Sequence, residues 1–482
     1  MAILDRPNTK RKYDFCIVGA GVSGITLALE LSKHGHSVSL NEGGLANYTS
    51  ESQNMYHGKV IGDKYAPITS SRLRFLGGSS NHWGGMSRTL EEMDFDRSDI
   101  SEHIKWPFKK NELDPYLKDA QEILDLNAIY TSQSIDNSQL KFINFEWSKN
   151  KAVNFKSKYL DSLKSNRFID LSVDANLVGC KTQNKKISGL FFRSTSSENR
   201  YLVKAKIFIF CMGGIENARL MLWLRELHGE DFCSHMLPIG KYFMEHPHLT
   251  VGEVVFFKPF NPPKGYFREL DNFVTLALSE KAIREHRILN AGIRIRGLKA
   301  QETKEIVKEL ICHAPNIPFQ DSRNEWCAKQ LQFAYEQEPV AKNNVKLDKS
   351  LKDYLGIPRV ILDNRQTELD FRTLNTTFNV FNSWLLENNI GRIKKSKWLI
   401  DKNINFDVEY PMLEFAGHHM GTTKMSNNIA TGVVDKNCKV HGCENLYMCG
   451  SSVFPTGGHT NPTLTIVQIS LRLAMHLKLR YI

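Results

Sequence analysis

A chain of 482 residues, 41% of them hydrophobic, is long enough to bury a sizeable core in one large or two closely joined domains. Its 63 lysines and arginines outnumber 52 acidic residues to give a net charge of +11, which by itself selects no partner among nucleic acid, anionic membrane and acidic substrate. Basic residues cluster only briefly, at residues 10–12 and 392–395, and no nucleic-acid motif accompanies them, so no nucleic-acid partner is expected. No uninterrupted apolar run could cross a bilayer, and the stretch Met1 to Pro7 lacks the apolar centre of a secretory signal, so the expectation is a soluble, cytoplasmic protein. The nine cysteines include no Cys-x-x-Cys pair, and neither a metal site nor a disulfide framework is expected.

In chain order, Tyr13 to Val18 reads as a short strand and is followed at once by Gly19-Ala20-Gly21-Val22-Ser23-Gly24. Ala28 and Leu31 continue an apolar helical face, and Ser37 to Leu40 reads as the next strand. In such a βαβ unit Gly19 permits the tight turn, Gly21 lets backbone approach a pyrophosphate, and Gly24 allows the helix to pack closely. Glu42, at the end of the second strand, is spaced to accept hydrogen bonds from an adenosine ribose. The motif names a dinucleotide site without separating FAD from NAD.

A second glycine-rich segment runs from Arg72 to Gly85 and contains Gly77-Gly78-Ser79-Ser80-Asn81-His82-Trp83. Such a loop can bring backbone amides up to a planar cofactor. Further on, alternation in residues 251–257 and 291–296 reads as strand, as do residues 344–348 and 359–363, while residues 369–387 read as helix. Near the end, Gly417-His418-His419-Met420-Gly421-Thr422 and Gly457-Gly458-His459-Thr460-Asn461-Pro462-Thr463-Leu464-Thr465 bring polar groups into glycine-rich surroundings. No repeat or low-complexity linker divides the chain.

These motifs, with the run from Ile207 to Arg219 through Gly213-Gly214, resemble the glucose-methanol-choline (GMC) oxidoreductases, in particular pyranose oxidase and glycoside oxidase-like members. The resemblance implies an α/β fold: a discontinuous Rossmann-type FAD-binding domain with an inserted, sheet-containing substrate domain. The FAD domain is placed at residues 1–100, 165–248 and 406–482, the substrate domain at 249–405, and a connecting helical region at 101–164. FAD is the implied cofactor. The implied activity is hydride transfer from a CH–OH group to flavin, with a sugar, glycoside or polyol as substrate and oxygen, a quinone or another acceptor taking the electrons. A small primary or aliphatic alcohol is the alternative substrate. An FAD-holding lyase and an NAD-dependent reductase are the competing classes, and bleaching of the flavin by substrate without oxygen separates them.

The resemblance also assigns residues. His418 matches the catalytic histidine of the His-x-x-Gly-Thr element, and a neutral imidazole suits a base working near neutrality. Asn461 matches the asparagine that accompanies it and orients the substrate hydroxyl. Cofactor contacts are expected from Gly77, Gly78, Ser79, Asn81, His82 and Trp83, from Val178 in the Asp174–Val178 stretch, from the turn at Gly213, and from Gly450, Ser451, Asn461 and Thr463. His82 stands where some relatives join the flavin covalently and others do not. His419 and His459 have open roles. Gly450 departs from the family, many of whose members carry an aspartate there, so backbone must replace that side chain.

Overall fold

The computed structural model describes residues 7–127, 129–149, 152–256, 260–268, 273–297, 328–403 and 417–480. β1 (Lys12–Val18), α1 (Val22–Lys33) and β2 (Val38–Asn41) form the expected βαβ unit. Phe15, Cys16, Ile17 and Val18 are all buried, as a strand covered on both faces of a parallel sheet requires. The parallel sheet runs in the order Ile169–Ser172, β2, β1, Arg200–Phe210, Leu446–Met448. Its strands come from three distant stretches of chain, which is the discontinuous Rossmann-type arrangement. Arg200–Phe210 is long enough to serve two partners. Its last residues lie between β1 and Leu446–Met448, while its first residues pair with the antiparallel ribbon of Lys186–Arg193 and Asn176–Gln183.

A second, antiparallel sheet is ordered Gly391–Lys395, His248–Phe256, Ala328–Tyr335, Ala291–Gly297, Phe273–Leu278, Leu140–Ile143, Ser132–Ser134. One face packs Val251, Leu276, Ile293, Ile295, Leu331 and Phe333 against Leu374, Phe378, Phe381 and Leu385 of the helix Glu368–Glu387. Alternation then turns the intervening residues, His248, Thr275, Arg294 and Gln332 among them, to the other side. A hairpin, Asn344–Lys352 with Pro358–Asn364, is joined in parallel by Gly58–Gly62 from the N-terminal part.

The strands expected at 251–257, 291–296, 344–348 and 359–363 and the helix at 369–387 are present, residue 257 and residues 406–416 lying outside the described residues. Residues 101–164 are not a purely helical connection. They hold the helices Leu117–Ile123 and Phe155–Ser165 but also the strands Ser132–Ser134 and Leu140–Ile143, which extend the antiparallel sheet. The alternation is short and was hidden among polar residues. Among the described residues no helix is long and apolar enough to cross a membrane. The described cysteines are buried and unpaired.

Gly24 is the tightest point of the βαβ unit, because a Cβ built there would lie 1.9 Å from the Gly19 carbonyl oxygen. Gly24→Ala is therefore expected to part α1 from β1 and to lower stability in urea unfolding by about 1–3 kcal/mol or more. An unchanged midpoint would mean that the turn relaxes at no cost.

Candidate functional site

A cavity of about 530 Å³ extends from the β1–α1 turn to His418 and Asn461. Three helix N-termini open onto it, at Val22, Gly213 and Thr463, each presenting backbone amides and the positive end of a dipole to whatever negative charge lies there. Backbone forms much of the wall. A Cβ built on Gly21 or Gly213 meets no protein atom within 4 Å, and one on Gly450 meets only Ser23 Cβ at 3.9 Å, so a side chain there would project into the cavity. Gly213 and Gly450 also have φ of +84° and +107°, which side-chain-bearing residues rarely adopt. This gives a physical reason for glycine at 450: the turn needs that conformation, and the wall there is backbone.

Of the cofactor contacts expected from sequence, Gly19, Gly21, Glu42, Gly78, Ser79, His82, Trp83, Gly213, Gly450, Ser451, Asn461 and Thr463 line the cavity. Gly24, Gly77, Asn81 and Val178 do not. Gly24 packs the helix onto the turn, as its position in the motif implied. Gly77, at φ +90°, turns the loop. Asn81 clasps that loop, its Nδ2 donating to the carbonyls of Leu76 and Gly78 and its Oδ1 accepting from Asn154. Val178 lies just beyond the wall, which Ala175, Asn176 and Leu177 supply. Glu42 has a double task. Its carboxylate accepts from the amides of Ala20 at 2.8 Å and Gly44 at 2.9 Å, and its remaining lone pairs face the cavity.

Sequence reading missed the polar wall opposite Glu42. Arg74 ties the loop to Gly43 O at 2.9 Å and to Asn176 Oδ1 at 2.6 Å. Arg72 lies 4.2 Å over the Tyr56 ring and 3.7 Å from Glu216, which pairs in turn with Arg219 at 2.6 Å. The glycine-rich shape and polar, amide-rich walls fit a dinucleotide of the FAD type, with the adenosine end at Glu42 and Asn176 and the reactive end at His418.

At that end His418 sits in a cluster with His246 and His248. His418 Nδ1 is 3.0 Å from His246 Nε2, and His246 Nε2 is 3.0 Å from His248 Nε2. Arg294 Nη1 is 3.0 Å from the His248 ring nitrogens. A guanidinium only donates, so it needs a lone pair on His248. Asn461 gives Nδ2 to the Met86 carbonyl at 2.9 Å, leaving Oδ1 as an acceptor near His246, though outside regular hydrogen-bond geometry. With a proton on His246 Nδ1 toward Asn461, His246 Nε2 accepts from both neighbours. His418 then carries its proton on Nδ1 and keeps a lone pair on Nε2. Protons are assigned here from the pattern of partners. Burial pushes His418 down to about 3, with the Arg294 charge adding to it, and holds His246 and His248 well below their usual value. The structure places His418 and Asn461 on either side of His246, which reading the sequence did not single out. The Pro-separated pair His246-Pro247-His248 was the available signal.

The two histidines left open are distinct. His419 Nε2 is engaged by Tyr65 Oη at 3.1 Å and Ser71 Oγ at 3.3 Å, away from the cluster. His459 is fully buried, and neither ring nitrogen has a hydrogen-bond partner among the described residues. Glu245 fixes the backbone of His418, accepting from its amide at 2.6 Å and from Tyr65 Oη at 2.6 Å, and burial raises its carboxyl to about 8.

Comparison with known proteins agrees with this geometry. Residues 339–470 match the family described as GMC oxidoreductase. A 2-methyl-1,2-propanediol dehydrogenase of Mycolicibacterium austroafricanum is 25% identical over 323 residues, which is 65% of this chain and 55% of that protein, so the match spans little more than half of the relative. Among solved structures, pyridoxine 4-oxidase from Mesorbium loti superposes with a TM-score of 0.59 at 15% identity, covering 96% of this chain and 99% of that one. A formate oxidase from Aspergillus oryzae RIB40, studied for modification of its FAD, gives 0.58 at 16% identity with 98% of both chains covered. At such identities the likeness is one of fold.

The buried imidazoles set a pH dependence of folding. A histidine with a depressed folded pKa takes up its proton only on unfolding, so stability is whole above about 6.5 and is lost as pH falls, by about 1.4 kcal/mol per pH unit for each such group. His246, His248, His418, His419 and His459 all act in this sense. Glu245, raised to about 8, and Asp94 and Asp370, each raised to about 7, act oppositely, since they hold protons in the fold and add stability as pH falls toward about 4. Glu336, also raised, acts with these carboxyls, but the histidines outnumber them, and a net decline is expected between pH 6 and 4. In urea titrations over that range His246→Asn should make the slope less steep by one proton, about 1.4 kcal/mol per pH unit. An unaltered slope would show that His246 is protonated in the folded protein.

Proposed function

We propose that this chain, whose residues 339–470 match the GMC oxidoreductase family, is an FAD-dependent oxidoreductase acting on a CH–OH group of a sugar, glycoside or polyol. The observation that carries the reading is His418. It is a half-buried, neutral imidazole whose Nδ1 is engaged by His246 and which lines a cavity with a dinucleotide cradle at its other end.

Bound FAD supplies the hydride acceptor. The cradle of Gly19, Gly21, Gly78, Gly213 and Gly450 with Glu42 would hold it, and His82 and Trp83 would flank its reactive end. The indole of Trp83 donates to the Val153 carbonyl at 2.8 Å, and burial keeps the His82 ring neutral, with the Ser71 carbonyl beside it. As hydride leaves the carbinol carbon, positive character builds there unless the hydroxyl proton departs. His418 Nε2 accepts that proton. His246 steadies the resulting imidazolium through Nδ1, and Asn461 Oδ1 steadies His246 in turn. A polyhydroxy substrate suits the surroundings, because the sheet face beside the histidine cluster is polar: His459, Thr275 and Gln332 are buried and each keeps a side-chain atom without a hydrogen-bond partner among the described residues. A small aliphatic alcohol would leave all of these unmatched, at a cost to binding.

The purified protein should be yellow, with FAD released or detected at one per chain. His418→Ala should keep its FAD while slowing anaerobic flavin reduction at saturating substrate by roughly 10²- to 10⁴-fold. Wild-type rates in that variant would remove His418 as the base. Glu42→Ala should weaken FAD retention for two reasons, the lost acceptor and a loosened β1–α1 turn; equal affinity would take Glu42 out of the cofactor site.

A further inference from the structure

The antiparallel roof carries a charge that no described residue balances. Arg294 is fully buried, yet among the described residues no carboxylate pairs with it, and its Nε and Nη2 have no hydrogen-bond partner. Its one polar contact is with the His248 ring, a neutral group. Burial lowers Arg294 to about 9, and the charge of Arg296 lowers it further. A buried cation without a counter-charge is expensive, and chains keep one where a ligand completes it.

The neighbours of Arg294 are arranged as a site. Thr275 and Gln332 lie directly across from it on the two flanking strands, so all three side chains project from the same face. Thr275 and Gln332 are 1% and 3% exposed, and Thr275 Oγ1 and Gln332 Oε1 are without partners. Gln332 donates Nε2 to the His248 carbonyl at 3.0 Å, which fixes Oε1 as a free acceptor. His459 closes the side of this row, where a Cβ on Gly292 would come within 2.8 Å of its Nδ1, so only glycine lets that ring lie against the strand. The row therefore offers a guanidinium for an anion, an acceptor for a hydroxyl proton, and a hydroxyl and an imidazole that serve either way. Arg294 also reaches the histidine cluster that contains His418.

We infer that the substrate is an acidic polyol or sugar, a polyhydroxy carboxylate whose carboxylate is bound by Arg294 and whose neighbouring hydroxyl donates to Gln332 while its reacting CH–OH stands at His418. The inference rests on the proposed alcohol-oxidising function and adds the charge of the substrate to it. A single unpaired cation calls for a single negative charge, hence a carboxylate and not a phosphate dianion. The chemistry at His418 is unchanged: the carbinol becomes a carbonyl, hydride passes to the flavin and the proton to His418.

The test uses the FAD-loaded protein. Anaerobic flavin reduction is followed with galacturonate and glucuronate, with their uncharged methyl esters, with galactose and glucose, and with the hexose 6-phosphates. The uronates should be favoured over their esters, and Arg294→Gln should cut the rate constant over KM for the acids by about 10²-fold or more, mainly through KM, and for the esters by a much smaller factor. Arg294→Lys should restore part of the loss. Equal use of acids and esters overturns the inference, as does a uniform slowing by Arg294→Gln, which would show Arg294 acting only through the histidines. Preference for the phosphates overturns the choice of carboxylate. If only neutral hexoses reduce the flavin, the inference falls and the proposed function stands; if no CH–OH compound does, the function itself fails. Binding is read separately by thermal denaturation with gluconate, which should raise the wild-type midpoint and not that of Arg294→Gln, and absence of a shift in the wild type counts against the anion site. Arg294→Gln loses no ion pair, so its midpoint without ligand should be equal to or above the wild type, and Arg294→Lys carries the same comparison if the glutamine variant is poorly folded.

Discussion

Desolvation at the junction of the two sheets governs this protein. His246 and Arg294 meet there fully buried, His248 and His418 half-buried beside them, and the three imidazoles stay neutral because an imidazolium in that place would be desolvated and repelled by the guanidinium. The same burial that makes His418 a poor base at rest makes it a responsive one. An acidic substrate at Arg294 would offset the repulsion that adds to desolvation in holding His418 down, and proton uptake at Nε2 would then become easier. In this sense substrate recognition and base strength are one electrostatic arrangement.

The rest of the fold holds that junction in place. The parallel sheet and its three helix N-termini define where a dinucleotide can lie, and the antiparallel sheet brings its polar face down over the closed end. The two bodies are tied by backbone as well as side chains. Met244 and Met420 bridge just before His246 and just after His419, and Glu245 accepts from the His418 amide. Gly214 passes so near the His419 carbonyl that a Cβ there would be 2.3 Å from it, which fixes the cofactor wall against the histidine strand. The geometry of the base thus depends on packing in the dinucleotide domain.

The basic net charge takes on a local meaning in this setting. Lys141 and Arg88 near the closed end are balanced by Glu91, and Arg72 and Arg219 by Glu216 and Asp353. Arg294 differs from these four, and from Lys424, which no described carboxylate pairs either but which donates to the His103 carbonyl at 3.3 Å and lies over the Tyr242 ring: Arg294 alone among them keeps two guanidinium nitrogens without a described partner.

How much of this was legible in the sequence follows from range. The β1–α1–β2 unit, the strands of the insert and the helix at 368–387 are written in local periodicity and in the glycine spacing, and the dinucleotide cradle follows from them because Gly19, Gly21, Gly24 and Glu42 act within one short supersecondary unit. His418 and Asn461 were legible through motif resemblance. Asn81 and Val178 were not correctly placed by it, since whether a loop side chain faces the cofactor or clasps its own backbone is decided by contacts such as that with Asn154. The strands within 101–164 declared themselves only on finding Phe273–Leu278 as a partner. Nor could sequence reveal that His246, His248 and Arg294 share one site. Arg294 is 46 residues from His248 and 124 from His418 along the chain, and the register of adjacent strands alone sets Thr275, Arg294 and Gln332 in a row. Local pattern determined the elements and the cradle; the pairing of distant strands decided which side chains lost their water together, and with that the chemistry of the closed end.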